Sequence, residues 1–147
     1  MNTELFFSSK TDQWATPQDF FDQLDKEFHF TLDPCADEEN HKCEKYFTKE
    51  QDGLKQSWIG ETVFCNPPYG RKVGNWVEKC FREVYSGGCH CAVLLVFANT
   101  DTKWFHDYVY NKAEIRFIKG RLKFGGQKYD APKPSMLVIF RKPGCEI

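Results

Sequence analysis

The 147-residue chain has no apolar run long enough to cross a bilayer, since a spanning helix needs about 20 consecutive apolar residues. Its start, Met1-Asn2-Thr3-Glu4-Leu5-Phe6-Phe7-Ser8-Ser9-Lys10, lacks both a charged opening and a long apolar stretch, so no secretory leader is expected there. An excess of one charge is missing too. The net charge is −1 at pH 7, so bulk balance does not point to nucleic acid, and any basic surface must be local. Repeats, linkers and low-complexity stretches are absent. Seven cysteines make an odd count. Without a leader, disulfides are not expected, and a reducing cytoplasm fits. Cys35, His41 and Cys43 lie close in sequence, as do Cys89-His90-Cys91, but neither group has the paired C-x2-C spacing of a zinc knuckle. Neighbouring side chains in a strand also point to opposite faces. Buried free thiols are the expectation, and no metal is assigned.

What is present reads as globular: 41% apolar and 16% aromatic residues. The length suits one domain over residues 1–147, with residues 1–11 as a flexible tail. Thr16-Pro17 opens a helix, with Thr16 as N-cap and Phe20, Phe21, Leu24 and Phe28 at helical spacing. Phe30-Thr31-Leu32 is a short strand ending at Asp33-Pro34. Residues 35–60 read as irregular. Val63-Phe64-Cys65 is a buried strand, and Val73 to Tyr85 is a helix with Val77, Cys80, Phe81 and Val84 on one face. Cys91 to Ala98 is predicted as a strand, its stretch Ala92 to Phe97 continuously apolar, as expected when both faces are covered. Asp101 to Tyr110 is predicted as a helix capped by Thr100 or Asp101. Ile115–Ile118, Arg121–Phe124 and Met136–Phe140 are predicted strands, with Gly125-Gly126 breaking the second. Alternating strands and helices imply an α/β fold with a parallel-rich sheet. The last strands follow one another without helices, implying antiparallel edge strands.

The chemistry gathers at Thr62-Val63-Phe64-Cys65-Asn66-Pro67-Pro68-Tyr69-Gly70. Neither proline can donate to a sheet ladder, so they stop the strand. Asn66 is left at its C-terminal end, where open α/β sheets place ligands. The Asn66 side chain and the Pro67 carbonyl become preset acceptors, stiffened by Pro67 and Pro68, and Tyr69 supplies a flat face. That set suits a planar ring with an exocyclic NH2 group. The same residues also suit an ordinary Asn-Pro-Pro turn with a surface tyrosine.

Asn66-Pro67-Pro68-Tyr69 resembles the [D/N/S]-P-P-[Y/F/W] signature of amino-group methyltransferases. Further stretches resemble the phage-type DNA N6-adenine methyltransferases, the Dam family: Trp14-Ala15-Thr16-Pro17, Leu32-Asp33-Pro34-Cys35-Ala36, Glu39-Asn40-His41-Lys42-Cys43, Tyr46-Phe47-Thr48, Asp52-Gly53-Leu54, Asp101-Thr102-Lys103-Trp104-Phe105-His106 and Ile118-Lys119-Gly120-Arg121-Leu122-Lys123-Phe124. The resemblance covers residues 12–141. It implies a Rossmann-like fold that uses S-adenosylmethionine and has no separate target-recognition domain. It implies that Asn66 and the Pro67 carbonyl orient the amine. Thr16-Pro17, preceded by Trp14, lies against the cofactor's methionine carboxylate. By the same resemblance Asp33, with Pro34 and Cys35, would meet the α-ammonium; an ordinary turn or cap aspartate reads the same way. Asp52 resembles the acid near the cofactor's adenine, with Glu50 as competitor. Asp37-Glu38-Glu39 stands where the wider superfamily has Gly-x-Gly, a departure that belongs to the phage family.

The implied partner is double-stranded DNA, with no membrane. Arg71 and Lys72, then Lys119, Arg121 and Lys123, followed by Lys128 and Lys133, form the candidate phosphate track; the same charges also suit a solvated strand face. Sequence specificity falls to the loops at 35–60 and 125–134 or to a homodimer. Base flipping is implied, with Tyr69 holding the extruded ring. Phe124 or Trp104 is placed on its other side or in the core. Two alternatives stay open. One is the same chemistry on RNA adenine, cytosine N4 or a protein glutamine. The other is a non-catalytic nucleic-acid-binding module, stabilised by zinc.

Overall fold

The structure is a computed structural model that describes residues 15–125 and 130–142. The expected 1–11 tail, Trp14, Gly126 and Lys128 lie outside the described residues. In chain order the elements are α1 (Gln18–Phe28), β1 (Leu32–Asp33), β2 (Lys45–Tyr46), a 3-10 turn (Gly53–Lys55), β3 (Thr62–Cys65), α2 (Val73–Tyr85), β4 (Cys91–Phe97), a π-helical turn (Phe105–Val109), β5 (Glu114–Phe117) and β6 (Ser135–Arg141). Among the described residues six strands form one sheet in the order β2-β1-β3-β4-β6-β5. β2, β1, β3 and β4 run parallel, and β6 is antiparallel to both β4 and β5.

The alternation of side chains along a strand explains the layers. On β4, Ala92, Leu94 and Val96 face one side, where Val73, Trp76, Val77, Cys80 and Val84 of α2 pack with Trp58. Cys91, Val93, Leu95 and Phe97 face the other, against Phe21, Leu24 and Phe28 of α1 and against Phe124. Both faces are covered, so β4 is buried at all seven positions and shows no polar alternation.

Several expectations are corrected. Thr16 does not cap α1: Pro17 holds the N-cap position, no side chain caps the helix, and the Thr16 hydroxyl is engaged elsewhere. The stretch 35–60 contains β2, too short to announce itself, which pairs Leu32 with Lys45 and Asp33 with Tyr46. Arg121–Phe124 is not a strand. Its backbone bonds are single contacts: Gly125 N–H donates to Ala15 O at 2.8 Å, and Ala131 N–H donates to Leu122 O at 2.8 Å. The alternation came from Leu122 and Phe124 turning inward while Arg121 and Lys123 stay exposed. It reports extended backbone and not a ladder. In the predicted Asp101–Tyr110 helix, Thr102 does the capping: its Oγ1 accepts from Phe105 N–H at 3.3 Å and donates to Asn99 O at 2.8 Å. The turn that follows is π-helical, with Tyr110 N–H reaching back to Phe105 O at 2.8 Å, and it buries both Phe105 and Val109.

Candidate active site

The chain leaves β1 toward β2 on one side and returns to β3 on the other. The strand order therefore reverses between β1 and β3, the place where open α/β sheets receive ligands. Asp33 ends β1, and Asn66 follows β3. A narrow cleft opens there, lined by Thr16, Asp33, Cys35, Asn40, Lys42, Phe64 and Asn66. Three segments far apart in sequence thus meet at one point.

Asp33 is 5% exposed. Its Oδ2 accepts from Lys42 N–H at 2.9 Å and its Oδ1 from Cys35 N–H at 3.3 Å. Burial raises its carboxyl pKa to about 6, against the pull of those two backbone bonds. A buried carboxylate only partly repaid by hydrogen bonds gains strongly from a cation beside it. Lys42 borders the same cleft, its ammonium donating to Gln18 Oε1 at 2.9 Å, and burial lowers its pKa. The loop after Ala36 is shaped by Asp37, whose Oδ1 accepts from Glu39 N–H at 2.9 Å and Asn40 N–H at 2.6 Å. That side-chain turn delivers Asn40 and Lys42 to Asp33. Sequence reading assigned a role to neither.

Asp52 does not line the cleft. It stands at φ 56° and its carboxylate accepts from Leu54 N–H at 3.1 Å, capping the 3-10 turn. The turn nevertheless presses on the site: a Cβ on Gly53 would come within 2.2 Å of the Pro34 carbonyl oxygen. Only glycine permits that approach. Trp58 fixes the turn from below, its indole N–H donating to Gly53 O at 3.1 Å.

Asn66 is half-buried, Pro67 buried and Pro68 half-buried. The Asn66 Nδ2 donates to Thr16 Oγ1 at 3.0 Å. The Tyr69 ring stacks on Phe97, with centroids 4.2 Å apart and planes 11° from parallel, while Phe124 meets it edge-on at 6.0 Å. Burial holds the Tyr69 hydroxyl well above its ordinary pKa, so the ring stays neutral. Gly70, at φ 118°, then turns the chain into α2. Of the two proposed partners for Tyr69, Phe124 is a core residue at 1% exposure. Trp104 packs over α2, where a Cβ on Gly74 would touch its ring at 3.4 Å. The aromatic in face-to-face contact is Phe97, missed because it reads simply as the last residue of an apolar run. Its place at the C-terminal end of β4, beside β3, was the available signal.

Residues 5–145 match the profile of the family described as DNA N-6-adenine-methyltransferase (Dam). The chain belongs to this family. It is similar to the DNA N-6-adenine-methyltransferase of Haemophilus phage HP1 (strain HP1c1), with 34% identity over 142 residues, covering 90% of this chain and 80% of that protein. It is also similar to the DNA N-6-adenine-methyltransferase of Escherichia phage T1, with 33% identity over 113 residues, or 76% of this chain and 46% of that protein.

In this Dam-family chain the basic residues fall in two places. Arg71 and Lys72 are exposed at the start of α2, Lys72 in its N-cap position. Arg121 and Lys123 line an open groove with Leu122 and with Pro17, Asp19, Phe20 and Gln23 of the α1 start; Lys119 is exposed just before it. Cleft and groove adjoin at Thr16-Pro17, since Thr16 lines one and Pro17 the other. Among the described residues no three of His, Cys, Asp and Glu converge as metal ligands. Burial pushes the Cys43 and Cys89 thiols up to about 12, and it raises the Cys65 thiol as well. Among the described residues no helix is long and apolar enough to cross a membrane.

Proposed function

We propose that this Dam-family protein transfers a methyl group from S-adenosylmethionine to N6 of an adenine flipped out of duplex DNA. The observation that carries the proposal is the convergence of Thr16, Asp33 and Asn66 on one cleft at the strand-order reversal. The donor set there suits the zwitterionic end of an amino acid. Asp33 would hold its ammonium by a charge-assisted hydrogen bond. Thr16 and Pro17, with Trp14 before them, would lie against its carboxylate. Pro34 and Cys35 would border the nucleoside, with Asp52 behind them in the turn seated on Pro34. When bound, S-adenosylmethionine supplies an electrophilic methyl sulfonium.

The remaining work is done by the chain. Asn66 Oδ1 and the Pro67 carbonyl accept the two N6 protons of the adenine. Those bonds draw the nitrogen lone pair out of ring conjugation and aim it. Once the methyl has moved and its sulfur has kept the bonding pair, the methylated nitrogen is acidic and loses its extra proton to solvent, so no strong base is needed. Pro67 and Pro68 hold both acceptors with little entropy left to lose. Tyr69 offers the stacking face, braced from behind by Phe97. Arg71 and Lys72, at the positive end of α2, and Lys119, Arg121 and Lys123 hold phosphates. The six-stranded sheet serves as a Rossmann-like methyltransferase fold in a single domain spanning 1–147. Target choice falls to the loops at 35–60 and 125–134 or to a homodimer, and the setting is the cytoplasm of a bacterial host.

The test offers methyl-labelled S-adenosylmethionine with duplex DNA, RNA and protein in parallel. Label should enter DNA, and nucleoside digestion should release N6-methyladenine. N4-methylcytosine, or label confined to RNA or protein, would move the acceptor. No cofactor binding at all would favour a non-catalytic nucleic-acid-binding module.

A further inference from the structure

The Asn66 amide is held from behind. Its Nδ2 donates to Thr16 Oγ1 at 3.0 Å, across 50 residues of sequence. Thr16 is 3% exposed, and it gives nothing to the helix that follows, whose N-cap is Pro17 without side-chain capping. Its backbone is pinned on both sides. Ala15 O accepts from Gly125 N–H at 2.8 Å, and Pro17 O accepts from Phe21 N–H at 3.0 Å. A β-branched side chain on a pinned backbone has little freedom at χ1. The Thr16 hydroxyl oxygen is therefore a fixed point.

An asparagine amide has two ends of nearly equal size, one a donor and one an acceptor. A methyl-accepting NH2 group can use only the acceptor end. With the donor end on Thr16 and the hydroxyl's own proton given to the cofactor's carboxylate, turning the amide over would set its oxygen against a hydroxyl with no proton left to give and forfeit the present hydrogen bond. We propose that Thr16 is a positioning residue whose hydroxyl fixes the Asn66 amide with its oxygen as the acceptor for the target amine. This role rests on the methyltransferase reading given above. It works together with the contact to the cofactor's carboxylate: the hydroxyl gives its own proton to the carboxylate and is left to accept from Asn66.

Thr16→Val preserves shape and branching and removes the acceptor. At saturating S-adenosylmethionine and DNA, its single-turnover methyl-transfer rate should fall about tenfold, the equivalent of one hydrogen bond. The dissociation constant for S-adenosylmethionine, measured by calorimetry, should rise by no more than the one hydrogen bond the hydroxyl gives the carboxylate, and the rate loss should persist once the cofactor saturates. Thr16→Ser should recover most of the rate. Thr16→Ala, which adds no bulk, should give the same split if valine disturbs packing. A parental rate in Thr16→Val and Thr16→Ala would overturn the role. So would a rate loss that vanishes at saturating cofactor and matches a weaker dissociation constant, which would place the hydroxyl on the cofactor alone. If instead the parent transfers no methyl to DNA, or Asn66→Ala transfers at the parental rate, the functional reading fails and takes this role with it.

Discussion

At the ends of β1 and β3 the buried side chains include polar ones, Asp33 at 5% and Thr16 at 3% exposure. In the β4-β6-β5 half, the buried side chains are almost all apolar and the charges stay outside. There Arg116 donates to both Glu27 carboxylate oxygens at 2.7 Å and to Glu114 at 2.7 Å, and Arg141 donates to Glu114 at 2.5 Å. The first region bears desolvation that its hydrogen bonds only partly offset. The second satisfies its charges in water, where an ion pair adds little. Under the proposed function, one sheet thus separates stability from chemistry. Substitutions at the strand ends should change catalysis and leave folding nearly intact, and substitutions in the ion network should do the reverse.

The hardest test of that separation is Asn66→Ala. Methyl transfer should drop by two orders of magnitude or more, since losing a transition-state hydrogen bond costs on the order of 3 kcal/mol. The melting temperature should barely move. A collapse of the fold instead would erase the division between the two regions.

Asp33→Asn should weaken S-adenosylmethionine about tenfold, because a charged hydrogen bond is worth about 1.5–3 kcal/mol. The parent's affinity should rise with pH through about 6 and level off above it, since burial raises the Asp33 carboxyl and only the carboxylate pairs with an ammonium. Titration calorimetry from acid to neutral pH should show that dependence in the parent and not in Asp33→Asn. For the ligand-free fold the sign is opposite. Folded Asp33 binds its proton more tightly than unfolded, so this group lowers stability as pH rises from 3.8 through about 6.

Tyr69→Ala should bind duplex DNA close to normally yet show a smaller fluorescence rise from 2-aminopurine at the target position. Stacking contributes roughly 1–3 kcal/mol per base, whereas encounter depends on phosphate contacts. Tyr69→Phe should restore most of the signal. An unchanged signal in Tyr69→Ala would make the ring a turn residue packed on Phe97 and nothing more.

The smallest effect belongs to the other region. Arg116→Ala should cost about 1 kcal/mol or less, mostly lost packing over the Phe28 ring, 5.5 Å from the guanidinium carbon. Methyl transfer should be unaffected. A thermal melt beside a rate assay checks both, and a rate loss here would join the halves that the comparison separates.

What was legible in the sequence follows the same line. β3, β4 and α2 announced themselves because each is a contiguous run whose burial is continuous or helically periodic. β2 did not, since two residues carry no period. Arg121–Phe124 misled, because a period of two reports which side chains turn inward and is silent on whether the backbone has a partner. The place of Asn66 and Tyr69 just beyond β3 was readable because two prolines between them fix the local chain. The bond from Asn66 to Thr16, the delivery of Asn40 and Lys42 to Asp33, and the Phe97 face on Tyr69 were not. Each joins segments that only the folded sheet brings together.

The antiparallel bridge between Ala15 and Gly125 joins points near opposite ends of the described chain. Such a contact should close late, since a long loop must lose its freedom before the bond forms. It also secures the backbone on which Thr16 stands. Recovery of activity during refolding should therefore lag behind recovery of helix and sheet: the sheet assembles first, and competence arrives when the two distant segments finally meet.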